Sequence, residues 1–349
     1  MATYDFIFDS AGLRDWCGVE ASTGPVTMAE VLARAGTTES GSIWHKALAL
    51  PFPSLDELNE ACASLARTRD LTKAVENVFL GAKDSLKVIL DPLTQPLSWM
   101  LEGALWLFDA TPWWLMIPLI LLLVHFASKS LKLVGFVASA LLFLSFIDQY
   151  SFAMQTLSII FVCATLCVIF GVPIGIAMSR SDRMQRIMIP ILDMLQTLPT
   201  FVYLIPLIFL FSVTEPKLYG IAIILYAIVP VVRLTDLGIR LVNKEVTEAA
   251  DAFGMTKRQK LYIVQIPLAL PNIMAGVNQT IMMSLAMVVI ASLVSAPGLG
   301  VLVLRGIRNL ELGVGLVAGL GIVLLAVMLD RVTKAALARV NASNNVPRH

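Results

Sequence analysis

Two groups of polar side chains interrupt apolar stretches of this sequence: Asp193, Gln196 and Thr197, and then Asn278, Gln279 and Thr280. A carboxylate at the centre of a membrane helix costs about 2.5–3.5 kcal/mol on insertion scales. Asp193 therefore reads either as a pathway or gate residue, or as an interfacial side chain bonded to Arg183, Arg186 or a freed backbone amide. One polar group is expected to line a path and the other to hold helices together by hydrogen bonds. Catalysis finds little support. His45, His125 and His349 are too scattered for a metal site, and no serine has a base near it in sequence. Cys17 and Cys62 stand isolated, while Cys163 and Cys167, four apart in an apolar run, share a helix face and read as small packing residues. The cysteines form neither a disulfide framework nor a zinc pattern. A Gly-x-x-x-x-Gly-Lys-Ser/Thr loop, the backbone cradle for nucleotide phosphates, does not occur.

The elements that must position these residues follow from composition. Of 349 residues, 57% are apolar and 15% charged, against about 25% charged in an ordinary soluble domain. That excludes a nucleic-acid binder or a disordered chain and predicts an all-α polytopic membrane protein. Seven segments are candidate spans: 112–127, 132–148, 151–179, 188–212, 218–235, 271–296 and 312–330. Lys and Arg gather in alternate connections, fifteen against three, the exceptions being Lys217, Arg305 and Arg308. Basic short loops stay cytoplasmic, so the C-terminus is expected inside and, with seven spans, the N-terminal tail outside. Should the first segment not cross, the tail stays inside.

The formal net charge of +1 conceals an asymmetry, with a net of −5 over residues 1–96 and +6 over 97–349. The acidic tail, residues 1–96, carries no secretory-signal pattern at its start. Ser54 with Glu57 forms a capping box, and Leu55, Leu58, Cys62 and Leu65, then Leu71, Val75, Val78, Phe79 and Leu86, recur at helical spacing. Amphipathic helices are expected there, ending near Asp91-Pro92. The remainder, 97–349, is the membrane domain. Gly315-x-x-x-Gly319 within it reads as a close helix contact.

The polar stretch Asp236 to Leu270 is the long connection among short ones. Glu245, Glu248, Ala249, Ala250, Ala252 and Phe253 favour a helix, Gly254 a sharp turn, and Lys257 to Gln265 a second helix that stops before Pro267. Glu248-Ala249-Ala250, Gly254 and Val264-Gln265-Ile266-Pro267, at this spacing, resemble the EAA loop of ATP-binding-cassette (ABC) importer permeases, with Val and Ile where Ile and Leu are usual. Three further stretches are similar to glycine betaine and proline betaine permeases: Asp193 through Pro199 to Pro206, Gln265 to Thr280, and Gly298 to Ile307. The match covers roughly 150–338, the core of the domain.

The resemblance implies the transmembrane domain of a type I ABC importer, with about seven spans plus the N-terminal amphipathic helical tail. It implies a permease rather than an enzyme, with no cofactor on this chain and ATP and magnesium on separate cytoplasmic ATPase subunits. The implied partners are those ATPases, an extracytoplasmic solute-binding protein, a second copy of the chain and membrane lipid, with no nucleic acid. The implied location is a bacterial cytoplasmic (inner) membrane. Glu248, Ala249, Ala250, Gly254 and Pro267 would then couple to the ATPase. The solute would be glycine betaine or a relative such as proline betaine, choline, carnitine or trimethylamine N-oxide. Aromatic faces suit such cations; Phe201 and Tyr203 could face the path, although packing explains them as well. A permease for another small solute such as an amino acid, or an ion-coupled secondary transporter, is the competing reading.

Overall fold

Helix is the secondary structure the apolar runs dictate, because in a bilayer each backbone N–H and C=O must be satisfied within the segment. In the computed structural model, which describes Cys17, residues 54–62 and residues 64–344, every regular element is helical. The chain divides into two compact units, residues 1–85 and 86–349. In the first, Ser54 Oγ accepts from the Glu57 amide at 3.3 Å and starts α1, Leu55–Ala61. Cys62, which ends α1, is disulfide-bonded to Cys17. This corrects the reading of the two cysteines as isolated: a lone pair 45 residues apart leaves no spacing pattern to read. The Gly, Thr and Ser-rich segment around Cys17 otherwise lies outside the described residues.

α2, Thr68–Ala110, does not end at Asp91-Pro92 but runs through Pro92 and Pro96. Tertiary contacts override the two prolines. Ser98 and Leu101 are buried on α2, Ser98 Oγ accepts from the Lys217 amide, and Lys217 Nζ reaches Asp91 at 2.7 Å and Glu215 at 2.9 Å. Two 16-residue helices follow, α3 (Trp113–Ser128) and α4 (Leu131–Phe146). At 1.5 Å per residue each is about 24 Å long, short of the roughly 30 Å hydrocarbon core. α5 (Tyr150–Arg180), α8 (Pro216–Arg240), α10 (Ile266–Ala291) and α12 (Leu312–Asn344) cover the remaining straight candidates, each long and apolar enough to cross. The candidate at 188–212 is instead two helices, α6 (Asp182–Thr197) and α7 (Thr200–Leu210), bent by 100° at Leu198-Pro199. Proline excludes helical ψ from the residue before it, and Leu198 is extended.

α5, α8 and α10 form the centre. Apolar burial alone does not draw helices together in lipid, so small residues that let backbones close in carry the association. A Cβ on Gly171 of α5 would lie 2.4 Å from a Val231 methyl of α8, and one on Gly175 would lie 2.6 Å from the Val232 carbonyl. Cys163 and Cys167 are buried on α5, and the Cys167 thiol approaches the Ile224 carbonyl of α8 at 3.8 Å. A second cluster joins α3, α4, α5 and α12 through Met116, Val137, Leu141, Leu144, Met154 and Leu325. Large apolar side chains such as Phe161, Phe170 and Val323 stay exposed on the outside, as lipid-facing surface requires.

Candidate functional site

Where α8 ends, the chain turns through Leu241–Asn243 into α9, Lys244–Ala252. Asn243 caps α9 by accepting from the Glu245 amide at 2.9 Å. Its last turn is closed by Phe253 N–H to the Ala249 carbonyl (3.0 Å) and Met255 N–H to the Ala250 carbonyl (3.1 Å). Between them Gly254 takes φ +73°, a left-handed conformation that costs other residues roughly 1–2 kcal/mol. Thr256 and Gln259 then form a reciprocal capping box. Lys260 Nζ holds both Asp251 oxygens at 2.7 Å, which ties the strand after the turn back to α9.

The second helix does not stop before Pro267, as the sequence suggested. Lys257–Gln259 passes into a π-helical turn, Lys260–Gln265, and then directly into α10. Proline has no N–H, and its ring crowds the carbonyl four residues back. The wider turn, in which Ile266 N–H reaches the Leu261 carbonyl, makes room for it. The stretch from Asp236 to Arg240 is likewise helix α8 and not loop.

Ala250, expected to face a partner, is 4% exposed and packs with its helix against the π-helical turn, where Leu261 is buried. The opposite face of α9 is open. Glu245, Glu248, Ala249 and Ala252 lie at i, i+3, i+4 and i+7, all exposed, with Phe253 beside them at 85% exposure. Neither glutamate makes an ion pair among the described residues. Two free carboxylates, two alanines and one projecting aromatic make a surface suited to a protein groove with a basic rim. Phe253, which reads from the sequence only as helix-favouring, is the most exposed large side chain on this face.

The six polar candidates separate. Asp193, Gln196 and Thr197 share the exposed face of α6 just before its break. Asp193 pairs with Arg233 of α8 and not with Arg183 or Arg186. Asn278 instead donates to Asp330 of α12 at 3.0 Å, and Lys334 meets the other Asp330 oxygen at 2.7 Å. Thr280 is fully buried with its hydroxyl unpartnered, as is Ser284 one turn on; Gln279 faces out. Asn278 therefore joins helices, whereas the α6 set lies on open surface. Phe201 is exposed on α7, and the Tyr203 side chain lies outside the described residues.

A knot absent from the sequence reading links this surface to α9. Asp236, 6% exposed, accepts from Arg240 Nε at 3.0 Å and from Gln185 Nε2 at 2.7 Å. Arg240 also donates to Asp182 (2.8 Å) and to the Met178 carbonyl (2.9 Å). The ends of α5, α6 and α8 are thus fastened four residues before α9 begins. The i, i+4 spacing of Asp236 and Arg240 was its one local sign.

A family described as "Binding-protein-dependent transport system inner membrane component" matches residues 168–342, from the middle of α5 through α12. The chain belongs to that family. The α8–α9–α10 connection and the α6–α8 surface both lie within the matched stretch. Among relatives of this permease family, the glycine betaine/proline betaine transport system permease protein ProW of Escherichia coli K12 is 47% identical over 190 residues, 54% of this chain and 53% of that protein. The glycine betaine/carnitine transport permease protein GbuB of Listeria monocytogenes is 40% identical over 247 residues, 70% of this chain and 87% of that protein. The trimethylamine N-oxide transport system permease protein TmoV of Ruegeria pomeroyi is 41% identical over 194 residues, covering 56% and 29%. The match thus spans about half the length of ProW. All three relatives are transport permeases, which agrees with a membrane component that is not itself an enzyme.

Proposed function

We propose that this chain is the permease subunit of an ATP-driven importer that carries glycine betaine or a related methylated ammonium or amine solute inward across the cytoplasmic membrane. The observation that carries this reading is the α8–α9–α10 connection, a short helix clamped to its own chain on one face and open on the other. The solute class rests on the relatives, whose names specify glycine betaine, proline betaine, carnitine and trimethylamine N-oxide. Residues 1–96 would act as an extracytoplasmic tail and 97–349 as the permease, with ATP and magnesium held by separate ATPase subunits. Two copies would pair around the path, and a solute-binding protein would deliver cargo from outside. The Cys17–Cys62 disulfide supports an outer tail, because such bonds persist in oxidising compartments.

The geometry supplies a route for coupling. α9 continues α8 after three residues and feeds α10 through the π-helical turn, so an ATPase that seats Glu248, Ala249 and Phe253 pulls on both spans. Gly254 shapes the corner, and Pro267 fixes the register between corner and span. Through the Asp236–Arg240 knot the displacement reaches α6, whose exposed Asp193, Gln196 and Thr197 would border the path. Alternation between two packings of the bundle then opens the path to either side.

The test is uptake of labelled glycine betaine by vesicles holding the permease, its ATPase and its binding protein, with a cysteine at Ala249 for cross-linking. Ala249 serves as the probe because it is exposed, whereas its neighbour Ala250 is buried. ATP-dependent uptake and an Ala249-to-ATPase cross-link are expected. Uptake driven by an ion gradient without the ATPase would overturn the proposal.

A further inference from the structure

Basic residues are scarce in the connections read as outward-facing, and the structure accounts for one of the three exceptions. Lys217 is buried, paired with Asp91 and Glu215 and stacked 5.1 Å over Phe211. Arg305 and Arg308 remain, both exposed on a ten-residue amphipathic helix, α11 (Leu299–Arg308). Arg305 meets Glu311 at 3.2 Å, whereas Arg308 makes no ion pair among the described residues. α11 lies at the end of the bundle away from α9. α10 leads to it from the π-helical turn, α12 leads back, and the Leu299 amide is held by Thr156 Oγ1 of α5 at 3.0 Å.

The corner between α11 and α12 is concave. Gly306 and Gly315 bring the two helices so close that a Cβ on Gly306 would lie 2.6 Å from the Gly315 Cα. Above that floor opens a cleft of about 480 Å3 lined by Val303, Ile307, Leu310, Leu312 and Leu316, with Glu311, the partner of Arg305, also on its wall. Leu310 at its tip is 89% exposed and adopts φ +57°, a left-handed conformation unfavourable for a bulky side chain. Backbone held in such a conformation tends to collect at ligand clamps and switch regions. Apolar anchors around a cleft, with cations at the margin, match the core and rim of a protein interface.

We infer that the α11–α12 corner docks the extracytoplasmic solute-binding protein, with Leu310 and Ile307 as apolar anchors and Arg308 and Arg305 steering an acidic face of that partner. The inference rests on the importer reading above and adds where the partner lands. The free cation argues for an acidic partner, because opposite charges at a rim accelerate encounter in a salt-dependent way.

The test titrates solute-loaded binding protein onto the complete permease–ATPase complex in lipid nanodiscs and reads the concentration that half-saturates ATPase stimulation. Arg308→Glu should raise it about tenfold at low ionic strength and less at high salt, and Arg308→Lys should restore it. Leu310→Ala should raise it at every salt concentration. A photo-cross-linking amino acid at Leu310, in otherwise unaltered protein, should capture the binding protein. Unchanged half-saturation in both variants, or capture of lipid or a second permease copy instead, overturns the docking site. Failure of the binding protein to stimulate the unaltered complex would overturn the importer reading itself, so the two failures are distinguishable.

Discussion

Two aspartates on neighbouring elements show how burial decides what a charge is worth. Asp193 and its partner Arg233 are both more than a third exposed, so water already solvates them and their pairing is worth about 0–1 kcal/mol. Asp236 is nearly buried and holds Arg240 and Gln185 together. Removing it leaves Arg240 with Asp182 and the Met178 carbonyl but takes away the nearly buried acceptor shared with Gln185, which costs on the order of 1–3 kcal/mol. In purified protein, Asp236→Ala should lower the melting temperature clearly, while Asp193→Ala should leave it nearly unchanged yet alter uptake; equal melting temperatures would contradict this ranking. Asp193 was recognisable in the sequence because a carboxylate in an apolar run is conspicuous. Its partner was not, since Arg233 lies 40 residues away on another helix. Asn278 with Asp330, Lys217 with Asp91 and Cys17 with Cys62 were hidden for the same reason: each is a long-range pair, and local spacing carries no information about it.

Elements were legible wherever one local force decides the backbone. Gly254 marked its turn because few other residues tolerate positive φ, and the apolar runs marked α5, α8, α10 and α12. Prolines misled in both directions. Pro199 does break a helix inside a run that composition reads as continuous, whereas Pro92, Pro96 and Pro267 do not end theirs. What separates these cases is the compensation nearby: docking onto the start of α8 for α2, and the π-helical turn for Pro267. The π-helical turn yields a prediction. In Pro267→Ala the restored N–H can donate to the Ile263 carbonyl, and the turn can tighten to α-helix, relieving up to about 3 kcal/mol of proline cost. Losing one residue of register rotates α9 by about 100° relative to α10 and pulls Lys260 away from Asp251. The variant should insert and resist heat as well as the parent or better, yet lose at least tenfold in uptake and most of the Ala249 cross-link to the ATPase. Parental uptake together with parental cross-linking would rule out a register role for Pro267.

For the whole molecule, the lengths of α3 and α4 bear on which side the tail occupies. If Arg180, Arg183 and Arg186 at the α5–α6 junction and Arg240 at the end of α8 face the cytoplasm, as basic short connections are expected to, α5 ends inside and α8 starts outside. The bent α6–α7 pair, lying between them, then has to count as one crossing despite its break. α3 and α4 are both 16 residues long and are joined by only Lys129 and Ser130, which favours their crossing or turning back together, although α3 also forms with α2 a pair bent by 115° that is long and apolar enough to count as one crossing. On that reading α2 ends, at Ala110, on the side where α5 begins. An outer tail is then the expected outcome where α2 stays on that side along its whole length. Cysteine chemistry tests this directly, because Cys163 and Cys167 are buried in α5 and contribute little background. A membrane-impermeant maleimide applied to intact spheroplasts should leave the parent unlabelled until reductant opens the Cys17–Cys62 bond. Cys17→Ser should be labelled at Cys62 without reductant. Labelling of Cys17→Ser only after the inner membrane is lysed would put the tail in the cytoplasm.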